Sequence, residues 1–313
     1  MSSGQLPYKT AFVVNPYAGK GRGARVWKKV ESYLQEHKME YGTYFTTEEE
    51  NGTIKAREAS DDGMELIVAL GGDGTLLEVV NGMDLEKNIL GVIAGGTANG
   101  FRRSVKVPHN YLLALKGLMA WPVIEMDLGV VNGRIFLNAV GAGYDAQVSL
   151  TATNDDYWLE GYPGYVAACL QHMNFKPRVV SFKLDDGQII TRETKLIVVA
   201  NGKFYGGQLC IAPHAIIDDG LLEFELLEPV SKMKMAIMGG LSFFRAHTGL
   251  QGFHTTGAKK IIVNCEDPTM PVHLDGETKD MPKFPLEFTI REKALKIISP
   301  INMGIGTKYN WRK

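Results

Sequence analysis

The chain has 313 residues, of which 45% are hydrophobic and 22% are charged, as is usual for a globular protein that folds in water. Its 34 Lys and Arg nearly balance its 35 Asp and Glu, so no overall electrostatic field draws it to nucleic acid or to an acidic membrane. Three widely spaced cysteines without a CxxC motif and seven scattered histidines argue against a disulfide framework and a zinc site.

The ends and the longest apolar stretch bear on localisation. The N-terminal sequence MSSGQLPYKT has no apolar signal segment. Residues 235–244 form the longest apolar-rich stretch, which is far shorter than the roughly 20 residues that span a bilayer. We therefore expect a soluble, cytoplasmic protein, and the length favours two domains.

In the first 130 residues, short apolar runs alternate with helical patterns. The apolar runs predict strands at residues 11–14, 41–46, 66–70 and 89–94, and the 3.6-residue spacing predicts helices at 24–37, 54–59, 76–83 and 111–119. Such alternation with nearly continuous apolar strands is typical of a parallel sheet covered on both faces. We predict an α/β N-terminal domain.

After residue 125 the pattern changes to strands joined by short turns. Asn132-Gly133 and Asp185-Asp186-Gly187 each separate two apolar runs, which indicates two β-hairpins. Further strands are predicted at residues 196–200, 221–227, 261–264 and 286–290, and helices around 165–174 and at 232–247. We predict a mainly antiparallel β domain over residues 130–291, and the final run at 295–299 could return to either domain.

Three glycine-rich turns follow strands of the predicted parallel sheet. They are NPYAGKGRG at residues 15–23, GGDGT at 71–75 and GGTANG at 95–100. The carboxyl ends of parallel strands meet at one edge, where bare glycine backbone and helix N-termini favour anions. The three turns together predict a phosphate-binding edge, although neither the G-x-G-x-x-G pattern nor the P-loop pattern is present in them.

The charged side chains in these turns admit two interpretations. Asp73 would repel a phosphate unless a cation lay between them, which suggests Mg²⁺. Alternatively, Thr75 and Glu78 fit a capping box with Thr75 as the helix N-cap, which explains both residues without a ligand and leaves Asp73 unexplained. Lys20 and Arg22 either contact phosphate or are solvated loop charges.

The ordered set of motifs resembles the diacylglycerol kinase catalytic family, and more closely its soluble bacterial lipid kinases. The resemblance continues through GAGYDA at residues 141–146, Tyr205-Gly206-Gly207, PHAIIDDGLL at 213–222 and Leu274-Asp275-Gly276-Glu277. GGDGT alone is shared with NAD kinases and, loosely, with phosphofructokinases. The whole set spans residues 13 to about 280, and this order is specific.

The resemblance implies an α/β nucleotide domain of residues 1–129, to which 292–313 return, and a β-sandwich-like lipid-substrate domain of residues 130–291, with ATP in the cleft between them. It also implies which positions bind ATP. These are Asn15, Lys20, Thr47, Gly72, Asp73, Gly74, Thr75, Glu78, Thr97, Asn99 and Glu277.

The resemblance further implies the catalytic roles. Asp73 and Asp127 would organise the catalytic Mg²⁺, and Asp275 would accept the proton of the substrate hydroxyl. A second, structural Mg²⁺ would use the Asp219 carboxylate and the backbone carbonyls of Ile216 and Leu221. Phosphoryl transfer needs this positioning, charge neutralisation and proton acceptance. From the residues alone, however, a plain β-turn is the better interpretation of Leu274-Asp275-Gly276, and Asp218-Asp219-Gly220 has the same alternative.

One position departs from the family pattern, which usually reads GTAND. Gly100 replaces that aspartate and removes a charge from the metal network. The resemblance implies an ATP- and Mg²⁺-dependent kinase of a diacylglycerol-like, other glycerolipid or sphingoid-type hydroxyl. An NAD kinase-like enzyme with a soluble substrate and a non-catalytic nucleotide- or lipid-binding regulator are the alternatives.

The partners follow from this assignment: ATP and a lipid at a membrane surface, with transient peripheral association and no nucleic acid, while a homodimer stays open. Residues 232–244 combine lysines, methionines and phenylalanines, which suits a core helix, an acyl pocket or a membrane-interface segment. Phe101, Arg102, Arg103 and Lys106 face either phosphate head groups or solvent.

Overall fold

The computed structural model describes residues 5–154, 159, 161–205, 209–242 and 244–301. Gly206 and Gly207 of the Tyr205-Gly206-Gly207 motif, Phe243 and the segment 302–313 therefore lie outside the described residues. Two compact units make up the chain. In described residues, the first unit comprises 5–96, 105–125 and 295–301, and the second comprises 97–104 and 126–294 apart from the gaps.

The elements of the first 120 residues alternate between strand and helix, as predicted. In chain order they are β1 (Thr10–Val14), α1 (Ala18–Glu36), β2 (Gly42–Phe45), α2 (Gly52–Asp61), β3 (Leu66–Gly71), α3 (Asp73–Gly82), β4 (Ile89–Ala94), α4 (Gly100–Ser104) and α5 (Tyr111–Ala120).

The remainder of the chain is rich in strands. Its elements are β5 (Val123–Val131), β6 (Arg134–Phe136), β7 (Ala139–Gly143), α6 (Tyr144–Ala152), α7 (Gly161–Gln171), β8 (Arg178–Leu184), β9 (Ile190–Thr194), β10 (Leu196–Ala200), β11 (Phe204–Tyr205), β12 (Leu209–Cys210), β13 (Leu222–Leu227), α8 (Lys232–Ser242), β14 (Phe253–Ala258), β15 (Lys260–Cys265), β16 (Val272–Leu274) and β17 (Leu286–Ile298).

The first unit contains a parallel sheet with the strand order β2-β1-β3-β4. The end of β17 adds a further parallel strand, because Lys296 and Ile297 pair with Ile89 and Leu90 of β4. Every residue of β1 and β3 is buried, which accounts for their uninterrupted apolar sequences. The α/β prediction for this half of the chain is confirmed.

The second unit contains antiparallel sheets, as predicted. One sheet has the order β14-β13-β10-β7-β16. In the other, β15 pairs with β8 and with the first part of β17, and β8 pairs with β9. Both predicted hairpins are present. In the β5–β6 hairpin, Asn132 and Gly133 have φ angles of 46° and 83°, which suits a tight primed turn.

Several element boundaries differ from the predictions, and α1 begins at Ala18 rather than at 24 and α7 at Gly161 rather than near 165. Helix α3 begins at Asp73 rather than at 76, and α8 ends at Ser242 rather than at 247. Strand β17 is a single 13-residue strand instead of two runs, with Lys293 in the left-handed region at φ 51°. Helix α6 was not predicted, because glycine-rich GAGYDA indicates a turn rather than the end of a strand followed by a helix.

No helix within the described part of the chain has the length and apolar character that crossing a bilayer requires.

Candidate active site

The glycine turns of the first unit meet backbone to backbone. The N–H groups of Gly95 and Gly96 both donate to the Gly71 carbonyl, at 2.8 and 3.0 Å. A Cβ on Gly19 would lie 2.7 Å from the Gly95 carbonyl oxygen, and one on Gly95 would lie 3.3 Å from the Cα atoms of Gly23 and Gly71. Side chains would therefore force the turns apart, and the edge that they form presents backbone.

The first of these turns interrupts the start of α1. Gly19, Lys20 and Gly21 have φ angles of 57°, 56° and 78°, so three successive residues are left-handed. The regular amphipathic helix begins after them, with Val26, Trp27, Val30 and Leu34 buried, as predicted. Consecutive N–H groups in such a conformation form a concave surface that suits an anion.

Asn15 connects the first turn to the second. Its side-chain oxygen accepts hydrogen bonds from the backbone N–H groups of Tyr17 and Ala18 at 3.0 and 3.1 Å. Its side-chain nitrogen donates to the Thr75 hydroxyl at 2.9 Å. Thr75 is buried and lies inside α3, whose N-cap is Gly72 without a side-chain capping bond.

The capping-box interpretation of Thr75 and Glu78 is therefore wrong. The Glu78 carboxylate accepts a hydrogen bond from the backbone N–H of Gly52 at 2.9 Å, and the Glu78 carbonyl accepts one from the Thr53 hydroxyl at 3.0 Å. Glu78 thus ties α3 to the start of α2. The spacing suggested a local capping box, but Gly72 is the N-cap instead. Each of the two side chains binds a residue far away in the sequence, Asn15 for Thr75 and Gly52 for Glu78.

Asp73 is the first residue of α3, so its negative charge lies at the helix N-terminus, where it is favourable without any metal. Asp73, which the capping-box interpretation left unexplained, is thus the acidic residue of the first helical turn. Gly74 follows it within the same helical turn. A metal-binding role of Asp73 stays a prediction.

The other nucleotide candidates are spread over both units. Thr47 is exposed after β2, where its hydroxyl accepts from the Glu50 N–H at 3.0 Å. Thr97 is exposed, and Asn99 is buried with φ 51°. Both belong to the second unit, so the division between the units falls directly after Gly96.

Asp127 is a buried carboxylate of the second unit that binds backbone on both sides. Its two oxygens accept hydrogen bonds from the N–H groups of Gly220 and Lys293 at 2.8 and 2.7 Å. Its own N–H donates to the Ile217 carbonyl at 2.7 Å. Asp127 therefore holds the 213–222 loop and the bend of β17 in place.

That loop carries the candidate ligands of a structural cation. The Asp219 carboxylate accepts from the Leu221 N–H at 3.1 Å, and Ile216 and Leu221 are exposed. Burial raises the pKa of Asp219, and the negative charges of Asp127 and Asp218 raise it further. Among the described residues, no three His, Cys, Asp or Glu side chains gather as a metal cluster, so a cation here would rely on carbonyl oxygens.

Asp275 and Gly276 form a tight turn between β16 and Glu277. Their φ angles are 51° and 91°, and Leu274 and Glu277 exchange hydrogen bonds of 2.9 and 2.8 Å. This backbone agrees with the β-turn interpretation of Asp-Gly.

The Asp275 carboxylate also organises the start of β7. It accepts hydrogen bonds from three consecutive N–H groups, those of Leu137 at 2.6 Å, Asn138 at 2.8 Å and Ala139 at 2.9 Å. These bonds stabilise the anionic carboxylate. The structural role is thus visible, and the role of Asp275 as a proton acceptor stays a prediction.

The second unit encloses an apolar cavity of about 350 Å³. Its walls come from helices α6, α7 and α8 and from strands β10 and β13, and apolar residues such as Val148, Val166, Leu170, Leu196, Leu227 and Met235 line it. Helix α8 packs in the core through Met235 and Met238, as the core-helix interpretation of residues 232–244 predicts. It also lines this cavity, and the acyl-pocket role stays a prediction.

A buried polar pair joins the cavity wall to the Asp275 turn. Asp145 lines the cavity and lies 3.1 Å from Nε2 of the fully buried His273. Nδ1 of His273 accepts a hydrogen bond from the Gly276 N–H at 3.3 Å. Sequence reasoning missed His273, because a lone histidine in a strand gives no signal of its partners.

Comparison with known proteins places these features in context. A family model described as the diacylglycerol kinase catalytic domain matches residues 9–131, and one described as the YegS C-terminal NAD kinase beta sandwich-like domain matches residues 138–299. A diacylglycerol kinase of Bacillus subtilis (strain 168) is 27% identical over 298 residues, which covers 93% of this chain and 96% of the relative.

Solved structures share the fold. A diacylglycerol kinase from Bacillus anthracis str. Sterne superposes with a TM-score of 0.72 at 24% identity, covering 94% of this chain and 97% of that one. An NAD kinase from Archaeoglobus fulgidus in complex with ATP has a TM-score of 0.52 at 14% identity and covers 93% of both chains. The predicted combination of an α/β domain and an antiparallel β domain is confirmed.

Proposed function

Because the chain belongs to the diacylglycerol kinase catalytic family and is a lipid kinase, we propose that it transfers the γ-phosphate of ATP to a lipid hydroxyl with the help of Mg²⁺. The apolar cavity of about 350 Å³ in the second unit carries the lipid part of this proposal. This volume is within the range of small-molecule sites, and an acyl chain is the ligand that gains most from apolar walls.

The glycine edge supports the nucleotide part. Its backbone N–H groups and the start of α3 suit the phosphates of ATP. We assign the ATP contacts to the turns around Gly72, Gly74 and Thr75, with Asn15 orienting Thr75. Lys20, Thr47, Glu78, Thr97, Asn99 and Glu277 complete the proposed set.

The metal part depends on oxygen ligands. Asp73 and Asp127 would hold the catalytic Mg²⁺, and Asp219 with the carbonyls of Ile216 and Leu221 would hold a structural one. Carboxylate and carbonyl oxygens are the donors that Mg²⁺ prefers, so the donor set fits. When bound, the ion would neutralise the charge of the transferring phosphoryl group.

Asp275 is the proposed proton acceptor for the lipid hydroxyl. Its three backbone partners fix the carboxylate in one orientation, and positioning of this kind is the main contribution of a protein to phosphoryl transfer. We assign nucleotide binding to residues 1–129 together with 292–313, and lipid binding to residues 130–291. We further propose that the enzyme works in the cytoplasm and contacts membranes transiently.

The decisive experiment is a transfer assay with labelled ATP. Diacylglycerol, monoacylglycerol and sphingosine are presented in mixed micelles with and without Mg²⁺, and NAD is tested in parallel. A labelled lipid that forms only with Mg²⁺ supports the proposal. NADP without labelled lipid supports the NAD kinase alternative. ATP binding without transfer to any acceptor supports the regulator alternative that Gly100 motivates.

A cavity-filling variant tests the lipid site itself. Gly239 lines the cavity, and a Cβ there meets no atom within 4 Å, so Gly239→Leu fills the space without a backbone clash. We expect the KM for a long-chain lipid to rise about tenfold or more, while the KM for ATP stays unchanged. Gly249→Leu, equally unobstructed and outside the cavity lining, is the matched control, and equal effects of the two variants on the KM for the lipid would contradict the assignment.

A further inference from the structure

Two helices beside the cavity, α7 and α8, expose apolar side chains. We infer that α7, α8 and Phe244 form a docking surface for an anionic lipid bilayer. The surface consists of Val166 and Leu170 of α7, Met233 and Ile237 of α8, and Phe244. The inference rests on the proposed lipid kinase function, since it explains how a lipid from a bilayer would reach the cavity.

Helix α7 has no charged residue in its whole sequence, GYPGYVAACLQ. Val166 and Leu170 are four positions apart, so they lie on one face, and both are exposed, Leu170 by 61%. The same two side chains also line the cavity. The exposed apolar face of α7 therefore borders the cavity opening.

Helix α8 is apolar on two opposite faces. Met235, Met238 and Ser242 are buried on one side. Met233 and Ile237 lie on the other side with exposures of 73% and 51%. Exposed apolar patches mark surfaces that contact a protein or a membrane, so the exposed face of α8 suits a second apolar environment.

The charges along α8 and the residues after it favour an anionic partner. Residues 229–265 contain no Asp or Glu, although the whole chain is slightly acidic with a net charge of −1. Lys232 and Lys234 flank Met233, and Arg245 follows the exposed Phe244. Basic residues beside apolar ones are the pattern of a helix that lies in the interface of an anionic membrane.

Vesicle sedimentation tests the surface without relying on catalysis. The full chain is mixed with phosphatidylcholine vesicles with and without phosphatidylglycerol. We expect it to pellet with the anionic vesicles, and less so at high salt. The double variant Met233→Glu, Ile237→Glu is expected to bind about tenfold more weakly or worse, and Lys232→Ala and Lys234→Ala are each expected to bind roughly fivefold more weakly.

The matched control replaces two exposed apolar residues elsewhere in the second unit. Val179→Glu, Ile189→Glu adds the same charge at exposures of 55% and 72%, and we expect it to change vesicle binding by less than about twofold. Failure of the wild-type chain to bind anionic vesicles would overturn the inference. Equal losses in both double variants would do so as well.

Two further measurements distinguish membrane docking from self-association and from the proposed kinase function. A dimer in sedimentation velocity that Met233→Glu, Ile237→Glu converts to monomer would show that a second copy occupies the surface, which also overturns the inference. If vesicle binding depends on the surface but the transfer assay gives no phosphorylated lipid, the docking surface stands and the proposed function fails.

If the transfer assay does show activity, the Met233→Glu, Ile237→Glu variant should lose turnover on lipid in vesicles but not on a short-chain soluble lipid.

Discussion

The two units use different groups at the positions where function is proposed. The first unit presents glycine backbone, and none of its described residues is a buried Asp or Glu. In the second unit Asp127, Asp145 and Glu225 are all buried. Bare glycine backbone leaves donor N–H groups for an anion, whereas in the second unit Asp127 and the partly buried Asp275 use their carboxylates to bind backbone N–H groups where strands begin or bend.

The Asp-Gly dipeptides show the same difference. Asp73-Gly74 lies in the first turn of a helix with ordinary dihedral angles. Asp275-Gly276 forms a left-handed turn whose carboxylate accepts from three N–H groups. The same dipeptide thus begins a helix in the first unit and holds the start of a strand in the second. The surrounding structure determines which of these two roles it has.

The largest effect is expected for Asp275→Asn. Loss of a general base lowers turnover by about 10²- to 10⁴-fold. The amide nitrogen of the new Asn cannot accept the hydrogen bond from the Leu137 N–H, and the loss of this bond costs about 1–3 kcal/mol of stability. Turnover of the lipid and urea unfolding are measured together. Gly276→Ala is the control, because it strains the turn and keeps the carboxylate. Similar losses of turnover in both variants would mean that Asp275 has only a structural role, in which it binds the backbone N–H groups at the start of β7.

The buried acid Glu225 gives the next largest effect, which depends on pH. Burial and then the Glu223 carboxylate raise the pKa of Glu225 to about 9. The native state therefore keeps a proton that the unfolded state releases above about pH 4.5, and stability falls as the pH rises from about 5 to 9.

Glu225→Gln removes this titration. We expect the variant to raise the free energy of unfolding by on the order of 3 kcal/mol at pH 8 and to change it little at pH 4. Urea unfolding at both pH values measures the difference. A gain of equal size at the two pH values would show that folding leaves the pKa of Glu225 near its ordinary value.

In the first unit, Gly23→Ala tests how closely the glycine turns approach. A Cβ there would lie 2.0 Å from the Asn15 carbonyl oxygen, so the backbone must move, at a cost of about 2 kcal/mol. We also expect a higher KM for ATP. Gly21→Ala meets no atom within 4 Å and is strained only by its φ of 78°, so it should cost about 1 kcal/mol. A smaller loss in Gly23→Ala than in Gly21→Ala would contradict the packing described.

The smallest effect concerns the bond between Asn15 and Thr75. Thr75→Val keeps the shape and removes the hydroxyl, which should cost about 1 kcal/mol. A double-mutant cycle with Asn15→Ala measures the coupling by urea unfolding, and we expect about 1 kcal/mol. Additive losses in the cycle would mean that the two side chains act independently.

Local features of the fold could be predicted from the sequence. Continuous apolar runs predicted β1 and β3, and Asn132-Gly133 predicted its hairpin, because each depends on neighbouring residues. The start of α3 was placed three residues late. Its first turn contains glycine and aspartate, whose weak helix propensity is overridden when Gly72 supplies the extended N-cap.

Long-range contacts could not be predicted in this way. The partners of Asp275 lie 136 to 138 residues earlier in the chain, and those of Asp127 include Lys293, 166 residues later. The capping-box pattern of Thr75 and Glu78 was satisfied in sequence but not in the molecule, since Asn15 and Gly52 bind these side chains instead. Only the tertiary fold decides between such partners.

Strand β17 has a consequence for biosynthesis. Its residues Lys296 and Ile297 pair with Ile89 and Leu90 of β4. During synthesis, this edge of β4 therefore stays unpaired until roughly two hundred more residues have been translated. During that interval an unpaired strand edge is available to other nascent chains. We therefore expect this protein to depend on a chaperone during translation more than a protein whose N-terminal sheet is completed by N-terminal strands alone.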